Sequence, residues 1–253
     1  NIFKKSYFLF SSRKTISSAL SVSYFLPEGV IKKPSIPSSE GLLSKLMFWT
    51  KSFVKNPVDD FVLDELANQG LTHSKQADKD ILIRRLSLDL TGLPPTEAMV
   101  KEFSLIDSDE DYAKFVDKLM NLPSFGEKWA SVWLDLARYS DSRGYQKDNG
   151  RTIWPYRDWV ISSFNKNLSF REFVKKQLAG DLLENPKDED YIATGFHRNT
   201  MNNDETGTVD EEFRVAAVID RVNTTWDALH GTSFSCVQCH SHPYDPIKHD
   251  EYY

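Results

Sequence analysis

Apolar residues recur three and four positions apart from residue 56 onward, the spacing that places side chains on one face of an α-helix. The first such segment, NPVDDFVLDELANQG, has Asn56 as a helix cap, Pro57 at the first helical position and Gly70 as a stop. Val58 and Val62 fall on its apolar stripe, with Phe61 and Leu66. Such stripes are typical of packed helices, so we assign them to the core.

The same pattern predicts a series of further helices along the chain. Thr96 and Ser169 are expected to cap two of them. The apolar faces are Ile81, Leu82, Leu86 and Leu90; Met99, Val100 and Phe103; Tyr112, Phe115, Val116 and Leu119; Trp129, Trp133 and Leu136 with Val132 beside them; and the amphipathic stretches RTIWPYRDWVISSFNKN and SFREFVKKQLAGDLL.

A polar loop is predicted over residues 184–208, followed by a long helix from about Asp210 to Leu229 that ends at Gly231. That helix leads the chain to Cys236. No alternating strand pattern and no internal repeat is present. The sequence therefore predicts a mainly α fold, an irregular multi-helix domain with long loops.

Two domains of different character are expected. Residues 1–55 are rich in Ser, Lys and Pro and have no sustained period, which indicates an extended arm or linker, and residues 56–253 form the helical domain. Basic residues before an uncharged run in RKTISSALSVSYFLPEG faintly suggest a signal sequence, but no clear signal peptide is present. A first residue other than Met and an uncapped end at KHDEYY suggest a segment of a longer polypeptide, truncated at its C-terminal end.

Composition narrows the possible partners. With 40% hydrophobic and 13% aromatic residues, the chain can bury a substantial core. Its net charge of -6 and its scattered basic residues give no overall attraction for nucleic acid, which we exclude as a partner. No stretch approaches the roughly 20 apolar residues of a membrane span, so no transmembrane segment is expected.

The only two cysteines of the chain lie three residues apart and are followed by a histidine, as Cys236, Cys239 and His240. This C-x-x-C-H spacing suits c-type haem, because one helical turn puts both thiols on the same side for bonding to the porphyrin vinyl groups. His240 would then be the proximal ligand of the haem iron. We therefore expect haem c as the cofactor.

Two other chemistries remain open for the same stretch. Cys236, Cys239 and His242 could bind zinc, since thiolate and imidazole are its usual ligands, although adjacent Cys239 and His240 are hard to direct at one ion. A disulfide or redox pair is also possible, although no βαβ pattern surrounds the cysteines.

A sixth ligand of a haem iron could come from several places. His249, His197, His230 and Met201 are the candidates, whereas His242 is too close to His240 to reach the opposite face of the porphyrin. An ordinary loop or cap histidine, or a packing methionine, is the simpler interpretation of each. Spacing does not select one.

Two polar constellations could also carry function. The first crowds a helix end and the following loop, with Arg138, Tyr139, Arg143 and Tyr145 among Asp135, Asp141 and Asp148. The second is GFHRNTMNNDETGTVDEEF, whose Arg198, Asn202 and Asn203 could line a cofactor edge or hold a hard cation. A salt-bridged helix terminus and ordinary loop-building residues are the simpler interpretations.

Several phrases together resemble a known family: LIRRLSLDLTGLPPT, FGEKWASVWLDLARYSDSRGYQKD, WPYRDWVISSFN, FVKKQLAGDLL, ATGFHRN, DEEFRVAAVIDRVNTTWDALHG and CVQCHSHPYDPIKHDEYY. They are similar to the planctomycete-type cytochrome c-associated domain of unknown function, over residues 56–253. That domain sits between a cytochrome c-like domain and a downstream partner domain in exported proteins. The resemblance implies an exported, periplasmic or cell-surface protein and places the family's C-x-x-C-H on Cys236, Cys239 and His240.

Two functions from different classes are therefore expected. The first is an exported c-type haem-binding protein that transfers electrons to a redox partner or to other domains of the same polypeptide. A redox enzyme stays open if the iron lacks a sixth protein ligand, so enzymatic activity is undecided. The alternative is a non-haem structural or binding module for a partner protein or glycan, with the cysteine stretch as zinc site or disulfide staple.

Overall fold

The computed structural model describes residue 54, residues 56–203 and residues 205–253. Nearly all of the predicted arm, and the signal-like stretch within it, lies outside these residues. The chain divides into two compact units, one ending at Leu82 and the other running from Ile83 to Tyr253. Each unit is described by itself below.

The fold is mainly α, as the hydrophobic pattern predicts. The helices are α1 (Pro57–Asn68), α2 (Lys79–Thr91), α3 (Glu97–Ser104), α4 (Asp109–Met120), α5 (Pro123–Leu136), α6 (Trp154–Asn165), α7 (Phe170–Ala179), α8 (Asp188–Ala193), α9 (Gly195–Arg198) and α10 (Asp210–His230). Short 3₁₀ turns cover Gly180–Leu182, Phe234–Gln238 and His249–Glu251. The described residues contain no strand, only an isolated antiparallel bridge between Ser142 and Gly150.

The predicted helix caps are confirmed. The Asn56 side chain accepts a hydrogen bond from the backbone of Val58 at 2.8 Å, and Asp59 completes a capping box. Thr96 caps α3 and Ser169 caps α7 through their hydroxyl groups. These caps accept hydrogen bonds from N–H groups that a helix cannot pair internally, and the starts of these helices could therefore be predicted from the sequence.

The predicted buried faces are partly wrong. In α2 the buried side chains include Ile83, Ser87 and Leu90, whereas Ile81, assigned to the face, is 45% exposed. Val58 and Val62 of α1 are 42% and 45% exposed, and no residue of that helix is buried. In α5, Val132 and Leu136 are exposed beside the buried Trp133, and in α10 only Thr224 is buried. Two of the buried positions hold polar residues, Ser87 and Thr224, and the spacing of apolar residues cannot predict that a polar residue is buried.

The predicted loop over residues 184–208 is also partly wrong, because α8 and α9 lie within it. Both helices are short, with six and four residues, and therefore show little periodicity. Asp190 of α8 is buried and lies 2.6 Å from the ammonium group of Lys176 on α7. This ion pair and the bond from the Lys187 backbone to Asp190, rather than an apolar stripe, fix α8.

The core of the second unit is aromatic. Trp133 of α5 meets the ring of Phe173 edge-on at 4.9 Å and stacks on Phe196 at 5.8 Å between ring centroids. Its indole N–H donates to the side-chain oxygen of Gln177 at 2.8 Å, and the Tyr156 hydroxyl donates to the same oxygen at 2.6 Å. Helices α5, α6, α7 and α9 thus meet around the side-chain oxygen of Gln177, which accepts both hydrogen bonds.

Candidate functional site

The C-x-x-C-H motif begins directly after α10 ends. Gly231 closes that helix in the left-handed conformation, with φ 62°, where a side chain would be strained. The backbone N–H of Phe234 then lies 3.4 Å from a carboxylate oxygen of Asp227 on the last turn of α10. The predicted helix end is confirmed, and it sets where the 3₁₀ turn Phe234–Gln238 starts.

An aromatic cluster anchors this turn on α10. Phe234 stacks on Trp226, with 4.4 Å between centroids and 11° between planes, and on Tyr252 at 5.2 Å. Val237 is fully buried in the same cluster, and the Tyr252 hydroxyl donates to Asn223 at 2.9 Å. Burial in this cluster raises the pKa of the Tyr252 hydroxyl. The motif is therefore held on a packed base.

The two cysteines of the motif differ in their surroundings. Cys236 packs against the cluster formed around Phe234 and Val237, and its thiol donates to the carbonyl of Ser233 at 3.1 Å, whereas Cys239 directly follows the 3₁₀ turn as its cap. The N–H groups of Cys239 and His240 both bond to the carbonyl of Cys236, at 3.2 and 3.3 Å. Both cysteines are free thiols, with Cys236 half-buried and Cys239 exposed. The disulfide of the alternative hypothesis is not formed in this structure.

Two imidazoles are held with one ring nitrogen available. Nδ1 of His240 lies 2.8 Å from the carbonyl oxygen of Ser241, and Nδ1 of His249 lies 2.8 Å from that of Val237. Because a carbonyl only accepts, each Nδ1 carries the proton, and each neutral ring has an unprotonated Nε2. This arrangement is the one that orients metal-ligating histidines in proteins.

His242 is arranged in the opposite way. Its Nδ1 accepts the backbone N–H groups of Tyr244 at 3.3 Å and Asp245 at 2.9 Å, although a carboxylate oxygen of Asp245 also lies 3.1 Å away. The backbone donors decide the tautomer, because they cannot become acceptors, and the neutral ring therefore has its proton on Nε2. Among the described residues, no group of three or more His, Cys, Asp or Glu side chains could hold a metal ion. The structure thus does not assemble Cys236, Cys239 and His242 as a zinc site.

The remaining sixth-ligand candidates lie elsewhere. Nε2 of His197 is 3.0 Å from the hydroxyl of Thr225, whose own proton goes to a backbone carbonyl, so Nε2 is the donor. Burial, and then the charge of Arg221, lower the pKa of the His197 ring. His230 is exposed at the end of α10 and contacts Trp226, while Met201 covers Gly144. None of these three is in the segment that carries the motif.

Two grooves lie along α10. One, of about 180 Å³, is bordered by Val218, Val222 and the two C-terminal tyrosines, and Tyr253 donates to the carbonyl of Gln238 at 3.1 Å. The other, of about 380 Å³, lies between His197 and Trp226. Each is open to solvent. Neither groove is lined by a residue of the C-x-x-C-H motif.

Spacing along the sequence does not reveal a further feature of this unit, a cavity whose wall carries five arginines. These arginines lie between residues 143 and 221, so they form no basic run. The only sequence signal is the seven-residue separation of Arg214 and Arg221, which places them on one face of a helix. The two polar constellations weighed above meet at this cavity.

Fold and site together define the class: a mainly α domain that displays a C-x-x-C-H turn on the end of its longest described helix. The chain belongs to the PSCyt2 family, described as a protein of unknown function (DUF1549), whose family model matches residues 57–253. Searches of curated proteins and of solved structures find no match. No described helix has the length and apolar character needed to span a bilayer.

Proposed function

We propose that this chain is an exported c-type haem-binding protein that transfers electrons through a haem attached to Cys236 and Cys239. The observation that carries the proposal is the folded segment that ends the 3₁₀ turn: it holds two free thiols three residues apart, with the N–H of Cys239 bonded to the carbonyl of Cys236, and His240 with an unprotonated Nε2 follows directly. The bound haem would supply one-electron redox chemistry. His240 would bind the iron through Nε2, oriented by its bond to Ser241.

Several contacts support a redox carrier rather than a staple. The Phe234 cluster holds the turn in place without any bond between the sulfurs, so a disulfide is not needed for its conformation. The resemblance to cytochrome c-associated domains points to the same cofactor and to export.

Among the sixth-ligand candidates, His249 has the strongest support. Its Nε2 is unprotonated, its ring is fixed by Val237 on one side and by Tyr253, at 5.6 Å between ring centroids, on the other. Its backbone N–H also bonds to the Ser241 hydroxyl at 3.2 Å, within the same segment as the motif. His197 has its Nε2 proton engaged with Thr225 instead.

The test is expression of the chain, with an export signal, in cells that carry a cytochrome c maturation system. We expect a covalent haem adduct by intact-mass spectrometry and a pyridine haemochrome spectrum that survives acid-acetone extraction. Cys239→Ala should abolish the two-thioether spectrum, whereas His73→Ala, a histidine outside the second unit, should leave it unchanged. Unmodified thiols in properly matured wild-type protein would sink the proposal and favour a binding module, with zinc analysis distinguishing a metal site from a staple.

A further inference from the structure

A cavity of about 640 Å³ lies in the second unit, and its lining includes no residue of the cysteine turn. Its walls come from three segments: the loop between α5 and α6, the loop after α9, and the first half of α10. Its volume falls within the roughly 300–1,000 Å³ typical of small-molecule sites. None of the three segments contains a residue of the C-x-x-C-H motif.

Backbone contacts join the two loops into one wall. The Asn202 N–H donates to the carbonyl of Arg143 at 3.0 Å, and the Lys147 N–H donates to the carboxylate of Glu205 at 3.1 Å. Gly144, with φ 80°, allows Met201 to lie against the loop, because a Cβ there would be 2.8 Å from the Met201 sulfur. The cavity is therefore a built feature and not a gap between independent loops.

The Arg151 side chain links the two loops of this wall. All of its bonding goes to backbone carbonyls, with Nε at 3.1 Å from Ser140 and the terminal nitrogens at 3.3, 3.0 and 2.8 Å from Arg198, Asn199 and Thr200. Its partners are neutral, so its charge is not cancelled by direct contact with a carboxylate. Burial lowers the pKa of its guanidinium, which nevertheless stays protonated at neutral pH.

The wall is strongly positive in a chain whose net charge is -6. Among the residues that the structure describes, its lining contains five arginines and the carboxylate of Asp210. Arg214 is neutralised by a bidentate contact with Glu211, both oxygens being 2.7 Å away. Arg221 donates only to the His197 carbonyl, at 3.2 Å, and Arg198 makes no ion pair with any residue of the described chain. A positive, partly enclosed cavity concentrates anions.

The rest of the lining defines the ligand more closely. Asn202, Asn203, Thr200 and Thr208 offer amide and hydroxyl groups, which bond to hydroxyls as well as to oxyanions. Guanidinium forks match carboxylate and phosphate oxygens in pairs. We propose that this cavity binds a small hydroxylated polyanion with at least two oxyanionic groups, recognised by Arg198 and Arg221. The site is independent of the haem proposal.

Isothermal titration of the full chain at low ionic strength tests the proposal, with citrate, inorganic phosphate and glucose as probes. Citrate should bind, and its affinity should fall as salt is added. Glucose, which has hydroxyls but no charge, should not bind. Phosphate binding of equal strength would assign the site to single oxyanions and overturn the requirement for two anionic groups. Absence of citrate binding to the wild-type chain would overturn the site itself.

Variants locate the binding. The double variant Arg198→Gln/Arg221→Gln should weaken citrate binding at least tenfold, while Arg171→Gln, an exposed arginine on α7 outside the cavity, should change it less than twofold. Ala217→Leu, which fills the cavity without removing charge, should weaken binding even where the arginines are intact. Unchanged binding in both cavity variants, with circular dichroism confirming their folding, refutes this location. Cys239→Ala should leave citrate binding unchanged, which separates this proposal from haem attachment.

Discussion

Replacement of Phe234 by alanine should release the cysteine turn from α10. The ring is 2% exposed and is held between Trp226 and Tyr252. Loss of a buried phenylalanine costs about 3–5 kcal/mol, and the small size of this cluster favours the lower end. About 3 kcal/mol corresponds to a roughly 100-fold rise in the population of the opened state. The opening should be local, because the aromatic core around Trp133 is a separate set of contacts.

Hydrogen–deuterium exchange of residues 234–253 measures this opening directly. We expect exchange in this segment to accelerate by up to about 100-fold, with exchange in α5 and α6 unchanged. Tyr244→Ala is the matched control, since this aromatic side chain in the same segment is 92% exposed and its loss should have little effect. Equal acceleration in both variants, or none in Phe234→Ala, would contradict the role of the cluster as anchor. Haem attachment to Phe234→Ala should also fall, since the two thiols lose their fixed relative position.

Three further predictions concern the core, an ion pair and the iron. Gln177→Ala leaves the Tyr156 hydroxyl without its buried acceptor and the Trp133 indole with only its longer 3.2 Å bond to the Tyr156 oxygen, and it should reduce the free energy of unfolding in urea by about 3 kcal/mol. The charged lysine beside Asp190 lowers the pKa of that carboxyl, so its stabilisation is complete above the unfolded value of 3.8 and is lost as pH falls through the lower folded value. Asp190→Asn should therefore reduce stability by roughly 1–3 kcal/mol at pH 6, and the difference from wild type should shrink in that acidic window. His249→Ala should convert the absorption spectrum of the haem-loaded chain from six-coordinate low-spin to high-spin.

Each of these has its own control. Gln146→Ala, at an exposed glutamine, should leave stability within about 0.5 kcal/mol of wild type. Glu189→Gln removes the outer and more exposed carboxylate near the same lysine and should have the smaller effect of the two. A low-spin spectrum that persists in His249→Ala and disappears in His230→Ala would show that the wrong histidine had been chosen. A constant difference between Asp190→Asn and wild type down to pH 2 would contradict the assigned cause of the lowered pKa.

Much of the fold could be predicted because helix signals are local. Asn56, Thr96 and Ser169 cap their helices through contacts within three residues, and Gly231 ends α10 where its left-handed conformation requires glycine. Burial was harder to predict, because it depends on which other element covers a face. Polar Ser87 can be buried in α2 because its hydroxyl donates to the carbonyl of Leu93. The spacing of apolar residues does not predict this contact.

The candidate site also has a part that could be predicted from the sequence and a part that could not. Cys236, Cys239 and His240 could be selected as candidates from spacing alone, since the proposed haem attachment requires two cysteines one turn apart. His249 could not be preferred over the other histidines from sequence, because its suitability depends on a bond to Val237, twelve residues earlier in the chain. His242 was a candidate zinc ligand from spacing, and only the structure shows that its Nδ1 accepts the backbone N–H of Asp245 in its own loop.

By itself, then, the sequence determined the helical class and the helix ends, and it located the C-x-x-C-H motif, all of which depend on residues within a turn or two of each other. Only the tertiary structure decided which helix faces are buried, how Phe234 holds the turn on α10, and that Arg143, Arg198 and Arg221 line one cavity. These arginines come together because residues 78 positions apart pack against a common wall. The spacing of neighbouring residues in the sequence does not show which distant residues will lie together in the folded chain.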